Sequence, residues 1–282
     1  MSVLAVDQWP SLSDPVLVYS FRGWVDAGSA GEGTTDALVE QLRTSGGTRF
    51  ATIDLTDLLD LQQVRPLVRL VDGVTREISF PEIELWSGNL GRDLVVVRGP
   101  EPSIRWSEFV QTIVEVAAHL DVREAYGLGG MPAIASHRRP VEVLASATRR
   151  SVAQEIGPLR ADYFGATGLN TVVQFGLGEI EVRSVGLWAQ VPQYVAGSPS
   201  PPAVRALLSR LAQSARLTPD FAAIDHRAAA YRDQVESGLA ERPEVLAFVD
   251  RIDRELDAQV PSGDALVDEI EEFLRSRPES DD

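Results

Sequence analysis

The chain has no cysteine and no lysine among its 282 residues. Without cysteine there is no disulfide framework, no thiol nucleophile and no thiolate metal site. That fits a reducing cytoplasm. Without lysine, all 26 basic residues are arginine. Schiff-base chemistry and the P-loop lysine are therefore both excluded, and arginine-only usage points to a GC-rich genome. Long apolar runs are missing too. Val16–Tyr19 and Leu94–Val97 are short, far from the ~20 residues that a membrane span needs. The N-terminus lacks a basic region followed by an apolar stretch, so no secretion signal is expected. Histidine occurs only at positions 119, 137 and 226, too far apart to suggest a zinc site, and no metal is expected. There is no G-x-S-x-G nucleophile elbow. Gly129-Gly130 lacks the G-x-G-x-x-G spacing and a following helix start, which removes a dinucleotide. No cofactor is expected.

What remains is an acidic chain with a net charge of −16 and a pI near 4.6. Nucleic acid repels such a surface unless basic residues are concentrated. Here they are scattered, with only Arg138-Arg139 and Arg149-Arg150 adjacent. The reading is a cytoplasmic protein that binds neither nucleic acid nor membrane. A hydrophobic content of 44% supports one substantial core and a smaller appended unit.

Apolar periodicity predicts buried strands at 16–21, 50–55, 94–97, 124–128 and 183–191. Helices are predicted at 31–43, 107–120 and 172–177. The segment 141–147 reads as strand or helix. Strands at 67–71 and 75–78 flank Asp72-Gly73, a hairpin signal, and 82–86 alternates like a half-exposed strand. Strands alternating with helices predict an α/β fold with a largely parallel sheet covered on both faces, and the hairpin near 66–79 as an insertion. Composition shifts at Gly197-Ser198-Pro199-Ser200-Pro201-Pro202. Residues 1–197 are read as the core domain and 198–282 as an acidic helical lid or tail. The tail carries apolar stripes at Val204/Leu207/Leu208/Leu211, Val245/Phe248/Val249/Ile252/Leu256 and Leu266/Ile270/Phe273/Leu274. Residues 277–282 read as disordered.

In parallel α/β sheets, ligands bind beyond the carboxyl ends of the strands. Four polar or Gly-rich loops fall there. In the first, Gly23, Trp24, Asp26 and Gly28 allow close backbone approach and an anion-holding helix start, or else form a tight turn with a packed Trp24 and Asp26 as cap. In the second, Glu101 between prolines is a candidate base and Arg105 an anion clamp; an ion pair bracing the loop is equally open. The third holds Gly129 and Gly130 and runs on to His137, Arg138 and Arg139. His137 titrates near neutrality, and the two arginines suit a carboxylate or phosphate, or an ion pair with Asp26 and Glu101. A solvated turn is the alternative. The fourth carries Tyr194. His119 reads as structural.

Four segments occur in order: GWVDAGSAG (23–31), RGPEPSIRW (98–106), GLGGMPAIASHRRP (127–140) and VPQYVAGSPSPPA (191–203). Together they resemble the proteasome assembly chaperone 2 family, in its actinobacterial branch, over roughly residues 10–260. The resemblance implies a phosphorylase/hydrolase-like three-layer α/β/α sandwich. It also implies a β-hairpin insertion used in self-association as a trimer, and a C-terminal helical lid over a ligand cleft. By analogy with family members that assist assembly of the proteasome core particle, proteasome subunits are expected partners. The resemblance supplies no catalytic residues. Two positions depart from its pattern: Arg138 stands where threonine is usual, and Gln193 where histidine is frequent. The chain ends Ser280-Asp281-Asp282 rather than in the hydrophobic-Tyr-any tripeptide of docking relatives, so that docking mode is not expected. Two functions lead, and a purely structural oligomer with no ligand stays open as a third. One is a non-catalytic assembly or scaffold protein. The other is a binding protein or hydrolase/phosphorylase-type enzyme for an anionic or nucleoside-like small ligand.

Overall fold

Strand residues that alternate between two apolar faces need a helix layer on each side, and the chain supplies both. The computed structural model describes residues 3–157 and 163–259. The expected stripe at 266–274 and the expected disorder at 277–282 lie outside the described residues. The strands are β1 (Val3–Val6), β2 (Val16–Arg22), β3 (Thr48–Asp54), β4 (Leu67–Val71), β5 (Val74–Ser79), β6 (Glu82–Asn89), β7 (Asp93–Pro100), β8 (Glu124–Ala133), β9 (Val143–Ala147) and β10 (Arg183–Pro192). The helices are α1 (Ala30–Thr44), α2 (Trp106–His119), α3 (Arg150–Ile156), α4 (Leu169–Glu179), α5 (Pro201–Ala215), α6 (Ala222–Leu239) and α7 (Pro243–Gln259).

Eight strands form one sheet in the order β1-β3-β6-β7-β2-β8-β10-β9. Along β2, Val16 and Val18 face α1 and α5, while Leu17, Tyr19 and Phe21 face α2 and α4. β7 alternates in the same way, with Leu94 and Val96 on the first side and Val95 and Val97 on the second. The result is the expected three-layer α/β/α arrangement.

A largely parallel sheet is only half right. The central strands β7, β2, β8 and β10 are mutually parallel, but both flanks are antiparallel. The cause is connection length. Only residues 90–92 separate β6 from β7, and so short a link permits only an antiparallel return. The segment 141–147, open between strand and helix, contributes β9 at the sheet edge. The edge strand β1 and the short helix α3 went unforeseen, being too brief for periodicity to register.

β4 and β5 form a separate two-stranded ribbon. Asp72 and Gly73 at its tip both have positive φ, 52° and 73°, as a two-residue turn matched to the twist of a hairpin requires. Every residue of both strands is exposed.

Chain contacts divide the molecule into residues 1–233 and 234–282, not at the composition shift near 197. The reason lies in α5. It buries Ala203, Val204, Leu207, Leu208, Leu211 and Ala215 in the same cluster as α1 and the sheet, so it belongs to the first unit. The second unit contains the end of α6 and α7, where Val249 and Ile252 are buried. Among the described residues no helix is long and apolar enough to cross a membrane.

If α5 is part of the core, Leu207→Ala destabilises the protein by roughly 2–5 kcal/mol, the range for a buried leucine truncated in a packed interior. Urea denaturation monitored by circular dichroism measures it. A change below about 0.5 kcal/mol would detach α5 from the core.

Candidate functional site

Because β2, β7, β8 and β10 are parallel, the segments that follow them leave the sheet at one end. Two carboxylates tie these segments together. Glu101, just past β7, accepts the backbone amide of Trp24 at 3.1 Å through one oxygen and that of Leu169 at 2.6 Å through the other. Leu169 opens α4, where the free amides and the helix dipole favour an anion. Gly23 makes the approach possible, since a Cβ there would lie 1.9 Å from the Glu101 carboxylate.

Asp26 performs the same task one loop away. Its two oxygens accept the amides of Gly31 at 2.7 Å and Glu32 at 3.1 Å, in the first turn of α1. The chain reaches that turn through Gly28 and Ser29, both at positive φ. Gly28 also exchanges backbone hydrogen bonds with Ala196 and Ser200, which fastens the segment after β10. Burial pushes the Asp26 carboxyl up to about 6, although the amides of Gly31 and Glu32 pull it back and the Glu32 charge adds to the rise.

Gly129 and Gly130 lie inside β8, not in a loop. That strand runs on to Ala133, in register with β10. Asp26 forms a bridge to Gly130, and a Cβ on Gly130 would sit 2.1 Å from the Ala27 carbonyl oxygen. A Cβ on Gly129 would strike the Trp188 ring at 2.7 Å. Both glycines are there for backbone proximity. Trp24 is 67% exposed and is not packed into the turn. Arg105 starts α2 and pairs with Glu108, not with Glu101.

His137 is buried. Its Nδ1 lies 2.7 Å from the Tyr194 hydroxyl, and its backbone amide donates to the same oxygen at 2.9 Å. The loop after β8 is thereby joined to the segment after β10. Among the described residues, no hydrogen bond or ion pair links Asp26 or Glu101 to His137, Arg138 or Arg139. The twelve sequence candidates thus fall into two groups. Gly23, Trp24, Asp26, Gly28, Glu101, Gly129 and Gly130 surround the ends of β2, β7 and β8. His137, Arg138, Arg139 and Tyr194 lie beside α5 and α6. Arg105 stands apart.

His137 and Arg139 of the second group border a cleft of about 630 Å³ that is completed by residues of α5 and α6. Among the described residues no group of three or more His, Asp or Glu side chains could hold a metal ion. Asp26 and Glu101 each spend both oxygens on backbone amides. The arrangement as a whole holds the strand-end loops together.

The PAC2 family model matches residues 20–238, which takes in all four segments and both clusters. The chain belongs to the PAC2 family. It is 34% identical to a PAC2 family protein from Streptomyces avermitilis, over 84% of this chain and all of that one, with a TM-score of 0.75. A Mycobacterium tuberculosis proteasome-assembly chaperone homologue is 32% identical, covering 83% of this chain and 99% of its own, with a TM-score of 0.76. At 13% identity, with a TM-score of 0.61 over 87% of this chain and 99% of that one, PbaA of Pyrococcus furiosus, an archaeal homolog of proteasome-assembly chaperone, shares the fold. No curated protein matches.

Within this PAC2 chain, sequence reasoning missed Arg205, Arg210, Tyr231 and Arg232, which line the cleft opposite the His137 loop. A signal was available. Pro202, Arg205, Ser209, Arg210 and Gln213 repeat at helical spacing on α5, opposite the apolar stripe. Read alone, such a polar stripe is a solvated face.

The Asp26 geometry gives a pH prediction. Its folded-state pKa lies above the unfolded value, so its contribution to stability is complete below the usual carboxylate range and is lost as pH rises through about 6. Unfolding free energy should therefore fall between about pH 4 and pH 6, and the fall should be shallower in Asp26→Asn. Identical pH profiles for the two proteins would show that Asp26 is solvated.

Proposed function

We propose that this PAC2 protein is a non-catalytic assembly protein that acts as a homo-oligomer and binds a protein partner at the strand-end face. The observation that carries the proposal is apolar exposure where polar chemistry would be expected. Trp24 follows β2, Ile104 follows β7 and Ile134 follows β8, and all three side chains are exposed, as are Tyr163 and Phe164 ahead of α4. Exposed apolar residues grouped at one end mark interaction surfaces. Family membership supports the same reading, because the M. tuberculosis relative is a proteasome-assembly chaperone homologue. Subunits of the proteasome core particle are accordingly the proposed partners.

The ribbon supports self-association. An isolated two-stranded hairpin is marginally stable in water, yet this one exposes Leu67, Val68, Leu70, Val74 and Ile78. Packing against copies of itself would bury them, and we assign the ribbon to an oligomer contact, a trimer by the family resemblance. Helices α5 and α6 beside the cleft are proposed as its cover. The competing reading, a hydrolase- or phosphorylase-type enzyme, has less behind it. Its candidate carboxylates are held by backbone amides, and the His137 ring meets the Tyr194 hydroxyl.

Val68 and Ile78 are cross-strand partners in the ribbon. Changing both to Asp should convert the oligomer to monomer in size-exclusion chromatography with light scattering, without unfolding the core. A wild-type monomer at about 50 µM, where a specific interface is populated, would remove the oligomer proposal. For the partner, purified proteasome α-type subunits should be retained by the wild type, and retention should drop at least roughly fivefold in Trp24→Ala/Ile104→Ala, as loss of an aromatic anchor implies. Equal retention by both proteins would refute the strand-end face as the docking surface.

A further inference from the structure

The cleft beside α5 gathers arginines in an acidic molecule. The chain has 42 acidic residues against 26 arginines. The cleft wall nevertheless includes Arg205, Arg210 and Arg232, and of these three only Arg205 pairs with a carboxylate among the described residues. A concave basic site with low-dielectric walls concentrates anions.

The pairing state of these groups sharpens the point. Arg205 is satisfied by Asp225 at 2.5 Å and lies over the Phe221 ring. Arg210 donates through Nη2 to the Ile156 carbonyl, while its Nε is buried and meets no acceptor among the described residues. Arg232 donates to the Arg138 carbonyl. Neither Arg210 nor Arg232 faces a carboxylate among the described residues. Tyr231 is only 6% exposed. Its hydroxyl makes no hydrogen bond of normal geometry, only a loose approach to Ser200. Buried donors left unmet are rare in native proteins, and each costs free energy until an acceptor arrives. Here two such donors, from α5 and α6, line one cleft.

We infer that this cleft is a binding site for a small organic phosphate. It is separate from the assembly role and does not rest on it. A phosphate is favoured over a single carboxylate because the guanidinium groups and the Tyr231 hydroxyl come from two helices at different angles. A tetrahedral dianion accepts donors from several directions, whereas one planar carboxylate is saturated by one bidentate arginine. The cleft volume of about 630 Å³ lies in the range for metabolite-sized ligands. The organic moiety has its own surface in Pro140, Val141, Val143 and Ala206. Ser209 and Gln213 add neutral hydrogen-bonding groups on the same helix.

The test is isothermal titration of the full-length protein with three probes, namely inorganic phosphate, AMP and citrate, at constant ionic strength. AMP should bind saturably at one per chain and more tightly than inorganic phosphate. Arg210→Gln should weaken AMP by about tenfold or more, as expected for loss of a charge-assisted donor. Tyr231→Phe should weaken it roughly threefold or more, as expected for loss of a neutral donor. Arg227→Gln, on an exposed position outside the cleft, should leave it unchanged. Circular dichroism checks each variant, and Arg232→Gln replaces Arg210→Gln if the latter does not fold. The inference is overturned if none of the probes binds at about 10 mM, a level that exposes even weak sites. It is also overturned if citrate binds more tightly than AMP, or if Arg210→Gln and Arg227→Gln behave alike.

Discussion

Asp26 and Glu101 close the strand-end face of this protein by accepting four backbone amides between them. Everything at that end depends on this. Glu101 binds the loop after β2 to the first turn of α4, and Asp26 fixes the turn into α1. Gly28 carries the constraint onward to Ala196 and Ser200, just ahead of α5. Helix starts bring free amides that must be satisfied. A carboxyl group whose two oxygens each meet one of them ties its loop to the helix at two points.

That constraint separates positioning from binding. The polar residues that look like chemistry from the sequence serve the scaffold. The surfaces proposed to meet other molecules lie around them: the exposed Trp24, Ile104 and Ile134 on the rim, the apolar ribbon β4–β5, and the cleft between the His137 loop and the helices α5 and α6. Each differs from an ordinary acidic, solvated surface. Together with membership of the PAC2 family they support the proposed assembly role, with the inferred anion site beside it.

Much of this was legible in the residues. Val16–Phe21 and Leu94–Val97 announce buried strands through unbroken apolar runs. Asp72-Gly73 announces the ribbon because only residues tolerant of positive φ fit its turn. The four Gly-rich segments were legible as a group, since all follow parallel strands. Other features were not. The antiparallel flanks depend on which strands meet, and periodicity does not encode that. Gly129-Gly130 looked like a loop because glycine marks loops, whereas here it marks backbone crowding inside β8. Arg210 and Tyr231 are far apart in sequence and become a site only when α5 packs its apolar stripe into the core and turns its polar stripe toward the loop at His137.

The central claim is that the two carboxylates are structural clamps, and amide hydrogen exchange tests it most directly. Trp24, Gly31, Glu32 and Leu169 should exchange as slowly as neighbouring strand amides. In Glu101→Ala the protection of Trp24 and Leu169 should fall together while that of Gly31 and Glu32 persists, because local opening follows the bonds that are lost. Rapid exchange at all four amides in the wild type, or unchanged protection in the variant, would contradict the account.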